Sequence, residues 1–94
     1  MFYTYVLESL KDHKRYIGST SSLEKRLIAH NSGLVTSTKS RRPFKLIYQE
    51  DFPTQNEARW RERSFKRSHD LLERVISREK QLAAGPEGLW PGGR

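Results

Sequence analysis

Apolar and polar positions alternate at the start of the chain, then recur at helical spacing further on. Phe2 to Glu8 is rich in aromatic and β-branched residues. Arg15-Tyr16-Ile17 repeats that character after the polar connection Ser9-Leu10-Lys11-Asp12-His13, so the two runs predict a β-hairpin. Gly18 ends the second strand, and Ser19-Thr20-Ser21-Ser22 follows as a cluster of helix caps. Ser21 and Glu24 have capping-box spacing, which predicts a helix through Leu23, Leu27 and Ile28 that stops at Asn31-Ser32-Gly33. Leu34 to Arg42 is polar and basic and reads as a mobile loop. Phe44 to Glu50, entered through Pro43, reads as a third strand. A second capping box, Thr54 with Glu57, opens a helix that runs to Arg67. Ser68 to Asp70 reads as a break, and Leu71, Leu72, Val75, Ile76 and Leu82 form the apolar stripe of a third helix.

The order ββαβαα predicts one α+β domain over residues 1–82, a three-stranded, largely antiparallel sheet flanked by helices. Residues 83–94 are rich in Gly and Pro and are expected to form a disordered tail. In the hairpin, the two-residue period places Tyr3, Tyr5 and Leu7 on one face. A loop centred near Leu10 and Lys11 would set Tyr5 opposite Tyr16 on that face.

Several polar residues fall where a core is expected. At about 100° per residue, Ala58, Glu62 and Phe65 share one stripe of the second helix, while Arg59 and Arg63 lie off it. A carboxylate on a packing face is costly without a partner. On the first helix Leu23, Arg26, Leu27 and His30 share one side, with Arg26 and His30 four apart. Each residue has an ordinary structural explanation. Glu62 and Arg26 suit an ion pair, His30 suits a helix-end partner, and Tyr5 and Tyr16 suit sheet-core aromatics. Glu57 is the capping-box acid. It is the convergence of Glu, Arg, His and two Tyr on inward faces that points to an active site.

Charge narrows the class of partner. Lys and Arg outnumber Asp and Glu by 18 to 11 in 94 residues, a net charge of +7, and an excess of that size on a small domain favours polyanions such as nucleic acid. There is no cysteine, so disulfides and thiolate metal sites are excluded. That agrees with a reducing cytoplasm. The N-terminal stretch reads as a strand rather than a signal peptide, and no run approaches the roughly 20 apolar residues that span a bilayer. A cytoplasmic protein with no membrane association is expected.

The ordered motifs resemble those of the GIY-YIG nuclease superfamily, in particular its small stand-alone bacterial members related to the nuclease domain of the excinuclease C subunit. Tyr16-Ile17-Gly18 matches the second signature tripeptide, and Tyr3-Thr4-Tyr5 matches the first in its final Tyr alone. Leu23-Glu24-Lys25-Arg26-Leu27, His30-Asn31-Ser32-Gly33, Arg42 to Tyr48 and Glu57 to Glu62 continue the likeness, which covers residues 2–67. The resemblance implies a metal-dependent DNA endonuclease of the GIY-YIG fold, acting in repair or recombination beside other repair proteins. It implies Glu62 as the metal ligand, for one Mg²⁺ or Mn²⁺, and Arg26 as the catalytic Arg. Tyr5 and Tyr16 match the motif tyrosines, and His30 matches a residue that some members use in the active site. Lys39, Arg41, Arg42 and Lys45, with Thr36 to Thr38, are candidates to track the DNA backbone; a solvated basic loop is the plain alternative. Two other functions compete: a basic nucleic-acid-binding module of the same fold without catalysis, and an adaptor whose basic helices dock an acidic protein.

Overall fold

The computed structural model describes residues 1–83, with side-chain surroundings through residue 79. Ala83, expected as the first residue of the tail, belongs to the last helix, while the side chain of Leu82 and the rest of the tail, residues 84–94, lie outside what is described. Strands β1 (Phe2–Ser9) and β2 (Arg15–Thr20) form the hairpin. Helix α1 (Leu23–Asn31), a short 3₁₀ turn at Lys39–Arg41, strand β3 (Phe44–Phe52) and helices α2 (Gln55–Arg67) and α3 (His69–Ala83) follow. The sheet order is β2-β1-β3, and both pairings are antiparallel. The fold is therefore the α+β arrangement that the sequence pattern predicts.

Alternation along β1 splits the core into two layers. Tyr5 and Leu7 pack with Phe44 on one face, against Tyr16, Leu23, Leu27 and Leu46. Val6 packs with Ile17, Tyr48, Phe65, Leu72 and Ile76 on the other. Helix α1 thus covers one face, and α2 and α3 cover the opposite one. A register shift between Val6 and Leu7 pairs these residues with Tyr48 and Leu46, leaving Ile47 as the extra residue of a β-bulge.

Local chemistry fixes each helix start. Thr54 and Glu57 form a reciprocal capping box at α2, as their spacing predicts. At α1 the cap is Ser22, whose side chain accepts from the Lys25 N–H, and not Ser21. The Thr20 hydroxyl accepts the Ser22 N–H at 3.1 Å, which sets Ser22 as the last extended residue. The expected break at Ser68 to Asp70 narrows to Ser68, whose hydroxyl accepts the Leu71 N–H at 3.2 Å and caps α3.

Two tethers place α2 on the sheet. The fully buried Thr4 hydroxyl donates to the Ala58 carbonyl at 2.6 Å. Arg61 grips Glu50 of β3 with Nε at 2.7 Å and Nη2 at 3.0 Å, and its guanidinium lies 4.5 Å from the centre of the Phe65 ring. Tyr48 donates to the same carboxylate at 2.5 Å. Glu62 is thereby carried one turn beyond the Ala58 tether, over the edge strand β2.

Candidate active site

The hairpin register places the tyrosines. Tyr5 pairs with Gly18, and Tyr16 pairs with Leu7, so Tyr5 and Tyr16 are diagonal neighbours rather than directly opposite. The expected register fails because the loop centre lies one residue further along. Ser9 and Lys14 close a loop in which the Ser9 hydroxyl accepts the N–H groups of Lys11 and Asp12, and His13 takes a left-handed conformation at φ 62°. The two tyrosines still share a face, with ring centroids 6.4 Å apart. Tyr5 crosses the backbone of Gly18, where only the absence of a side chain leaves room for its ring.

Helix α1 brings Arg26 and His30 over these rings. Asn31 fastens its end by pairing with the main chain of Phe44, donating to the carbonyl at 3.1 Å and accepting the N–H at 2.7 Å. The His30 ring is fully buried, 4.7 Å from the Tyr16 ring centroid. Its Nε2 lies 3.3 Å from the Tyr5 hydroxyl and its Nδ1 lies 2.8 Å from the Thr38 hydroxyl.

Donor counting orders the protons in this chain. The Arg26 guanidinium stands beside the Tyr5 hydroxyl and can only donate, so the phenol proton goes to His30 Nε2. Nδ1 then carries the ring proton and gives it to Thr38, whose own hydroxyl donates to the Val35 carbonyl at 3.3 Å. Electrostatics agree with a neutral imidazole: burial, and then the charge of Arg26, hold the His30 pKa below its ordinary value. Burial likewise raises the Tyr5 pKa, against the lowering effect of Arg26. The hydroxyl of Tyr5 first, and then that of Tyr16, help hold Arg26 charged, with its pKa raised despite partial burial. One Arg26 nitrogen, Nε, is buried without a hydrogen-bond partner.

Glu62 approaches from the opposite layer. Its Oε1 accepts from the Ser19 hydroxyl at 2.7 Å, and its Oε2 pairs with Lys66 at 2.7 Å. It does not pair with Arg26, so the structural ion pair that both residues suit in sequence is absent. Ala58 and Phe65 on the same stripe are fully buried, and Glu62 sits at the rim with its side chain 21% exposed. The two layers meet here because Ser19 follows Gly18 along the edge strand. Tyr5 crosses the sheet face at Gly18, while the next residue turns to the other face and orients the carboxylate. The Glu62 charge is near enough to contribute to the raised Tyr5 pKa.

The donor set suits a sparsely held hard cation. Among the described residues no group of three or more His, Cys, Asp or Glu converges. An ion bound to Glu62 would draw its other ligands from water and substrate, as Mg²⁺ does. Lys66, itself 54% exposed, supplies the positive charge at Oε2 on a side chain free to swing away.

Of the five site residues expected from sequence, Tyr5, Tyr16, Arg26 and His30 gather on one face, and Glu62 stands across the β2 edge, near enough for its charge to act on Tyr5. The basic segment divides. Lys39, Arg42 and Lys45 are exposed, but Arg41 is engaged, with Nε 3.1 Å from Asp12 Oδ2 and its guanidinium over the Phe44 ring. The segment expected as a mobile loop is pinned by Thr38, which is fully buried and so cannot track DNA. Ser19 is the site residue missed in sequence, and Thr38, expected to track DNA, instead supports His30. Each sits in a run of hydroxyl residues that reads as caps or surface, and its burial comes from contacts more distant in the chain.

Comparison with known proteins places the chain in a family. The family model for the GIY-YIG catalytic domain matches residues 1–81. A UPF0213 protein of Staphylococcus saprophyticus is 40% identical over 87 residues, covering 92% of this chain and 95% of that protein. A UPF0213 protein of Clostridium perfringens is 44% identical over 68 residues, covering 71% and 72%. The solution structure of a UPF0213 protein from Bacillus halodurans superposes with a TM-score of 0.53 at 34% identity, covering 93% of this chain and 90% of that one. No helix among the described residues is long and apolar enough to cross a membrane. With a family model matched over nearly the whole described chain and relatives of about its own length, the chain belongs to the GIY-YIG catalytic domain family, a family of the nuclease fold.

Proposed function

We propose that this protein is a metal-dependent endonuclease that hydrolyses phosphodiester bonds in DNA, acting in repair or recombination in the cytoplasm, beside other repair proteins. The observation that carries the reading is the Arg26 guanidinium, set beside two tyrosine hydroxyls and across the β2 edge from a rim carboxylate whose charge reaches Tyr5. The guanidinium has no carboxylate partner among the described residues, and a phosphate oxygen at its outer nitrogens would take up that charge.

A single Mg²⁺ or Mn²⁺ held by Glu62 would supply Lewis acidity at the phosphate and at the leaving oxygen. The chain's own groups divide the remaining tasks. Arg26 binds the scissile phosphate and offsets charge as it develops. Tyr5, with a raised pKa and its proton committed to His30, stays a neutral phenol that orients Arg26. Tyr16, less buried than Tyr5, positions the attacking water. His30 is sealed from solvent, so it exchanges protons with the site through Tyr5 and fixes that hydroxyl's direction. Lys39, Arg42 and Lys45 contact the DNA backbone beyond the site.

Labelled linear, nicked and branched DNAs incubated with the protein, with and without Mg²⁺ or Mn²⁺, test the reading. Metal-dependent nicking that is lost in Arg26→Ala supports it. Tight DNA binding with no cleavage under any metal would favour instead the non-catalytic binding module.

A further inference from the structure

The outer face of α2 carries a cluster that, Lys66 apart, the site does not use. Measured around the helix from Glu62 at about 100° per residue, Lys66 falls near 40°, Arg59 near 60°, Arg63 near 100°, Arg67 near 140° and Trp60 near 160°. The buried Ala58 and Phe65 lie on the other flank of Glu62. All five outward residues are exposed, Trp60 at 69%. A basic stripe therefore begins beside the rim carboxylate and ends at an unburied indole.

Its arginines differ from the three that the fold pairs with carboxylates. Arg15 is paired with Glu73, Arg41 with Asp12 and Arg61 with Glu50. Arg59, Arg63 and Arg67 have no side-chain partner among the described residues, and the nearest α2 carboxylate outside the site, Glu57, is turned back onto the Thr54 cap. Charge placed only for solubility would mix signs along the face. Here one sign is continuous and is interrupted by an aromatic ring, the combination that tracks a nucleic-acid backbone and stacks its bases. From Arg59 to Arg67 the helix rises about 12 Å, the length of about three or four stacked nucleotides.

We infer that the outer face of α2 binds a single strand of DNA, with Arg59, Arg63 and Arg67 on its phosphates and Trp60 stacked on an unpaired base. The stripe leads that strand to Glu62. The preferred substrate is then duplex DNA with an adjoining unpaired segment, such as a flap, gap or branch. The direction of the strand rests on Glu62 marking the cleavage centre; the binding itself does not.

Fluorescence anisotropy in a chelator, where no cleavage occurs, separates the two. The full-length protein is titrated with labelled single-stranded, flapped and blunt duplex DNA, and with single-stranded RNA of the same sequence. Trp60→Ala should weaken binding of single-stranded and flapped DNA by about tenfold while blunt duplex changes less than about twofold, and Trp60→Phe should restore most of the loss. Arg59→Ala/Arg63→Ala should flatten the salt dependence of single-strand binding by about 1.4 in log–log slope. Unchanged affinities in Trp60→Ala, an equal loss on blunt duplex, or tighter Trp60-dependent binding of RNA would each overturn the inference. Trp60-dependent binding without nicking in metal would remove the endonuclease reading alone. Nicking with Trp60-independent binding would remove this one alone.

Discussion

The Tyr5 ring lies so close to Gly18 that a Cβ added there would stand 2.5 Å from the tyrosine hydroxyl and 2.6 Å from its Cζ. The glycine of the second signature tripeptide therefore has a packing role. It lets a phenol cross the edge strand one residue from Ser19, which holds the Glu62 carboxylate from the other face. Gly18→Ala should displace the ring, break its 3.3 Å contact with His30 and cost about 1–3 kcal/mol of stability. Urea unfolding measures the loss. A variant as stable as the parent would show that the ring moves aside without strain.

Thr38 never meets solvent, yet it receives the proton of His30 Nδ1. Thr38→Val removes that acceptor and leaves a buried N–H unsatisfied, at an expected cost of about 1–3 kcal/mol. Thr38→Ser keeps the hydroxyl and should retain most of the stability. Equal denaturation midpoints for the Val and Ser variants would contradict the proton order derived from Arg26.

The lowered pKa of His30 has a sign for stability. Because burial, aided by Arg26, disfavours the charged imidazole, the unfolded chain takes up a proton more readily than the folded one. The neutral ring's contribution is complete above the ordinary histidine pKa of about 6.5 and is lost as pH falls below it. Unfolding free energies measured between pH 8 and pH 5 should therefore decline on the acid side, and His30→Gln should decline less steeply. An identical slope in the two proteins would place the proton uptake elsewhere.

Lys66 competes with any cation for Glu62. Replacing it by Met frees Oε2 while removing an exposed i,i+4 pair that contributes only about 0.3–0.5 kcal/mol to stability. Mn²⁺ affinity, followed by electron paramagnetic resonance of the free ion, should rise severalfold in Lys66→Met. Weaker Mn²⁺ binding would mean that the ammonium helps to hold the carboxylate in place.

The sequence was most legible where one local rule decides the outcome. Thr54 and Glu57 cap α2 as spaced, and the helical spacing of Ala58, Glu62 and Phe65 is enough to single out the rim carboxylate. It was least legible where a tertiary contact chooses among equivalent residues. Four consecutive hydroxyl residues precede α1, and the bond from Ser22 N–H to Thr20 makes Ser22 the cap. The tyrosine register depended on how many residues the Ser9 hydroxyl gathers into its turn. The residues at 34–42 read as mobile because their composition is polar, and nothing local shows that Thr38 lies beneath His30. Nor does sequence reveal that α1 and α2 cover opposite faces, so that the site forms around the β2 edge beside Gly18.

The role of Glu62 is the central claim, and nicking of supercoiled plasmid in Mg²⁺ or Mn²⁺ by the parent and by Glu62→Ala tests it most directly. Thermal unfolding of both proteins serves as the control for the fold. Metal-dependent nicking by the parent, with at least a hundredfold loss in a Glu62→Ala protein that still unfolds cooperatively, is the predicted result. Equal nicking by a folded Glu62→Ala protein would contradict it.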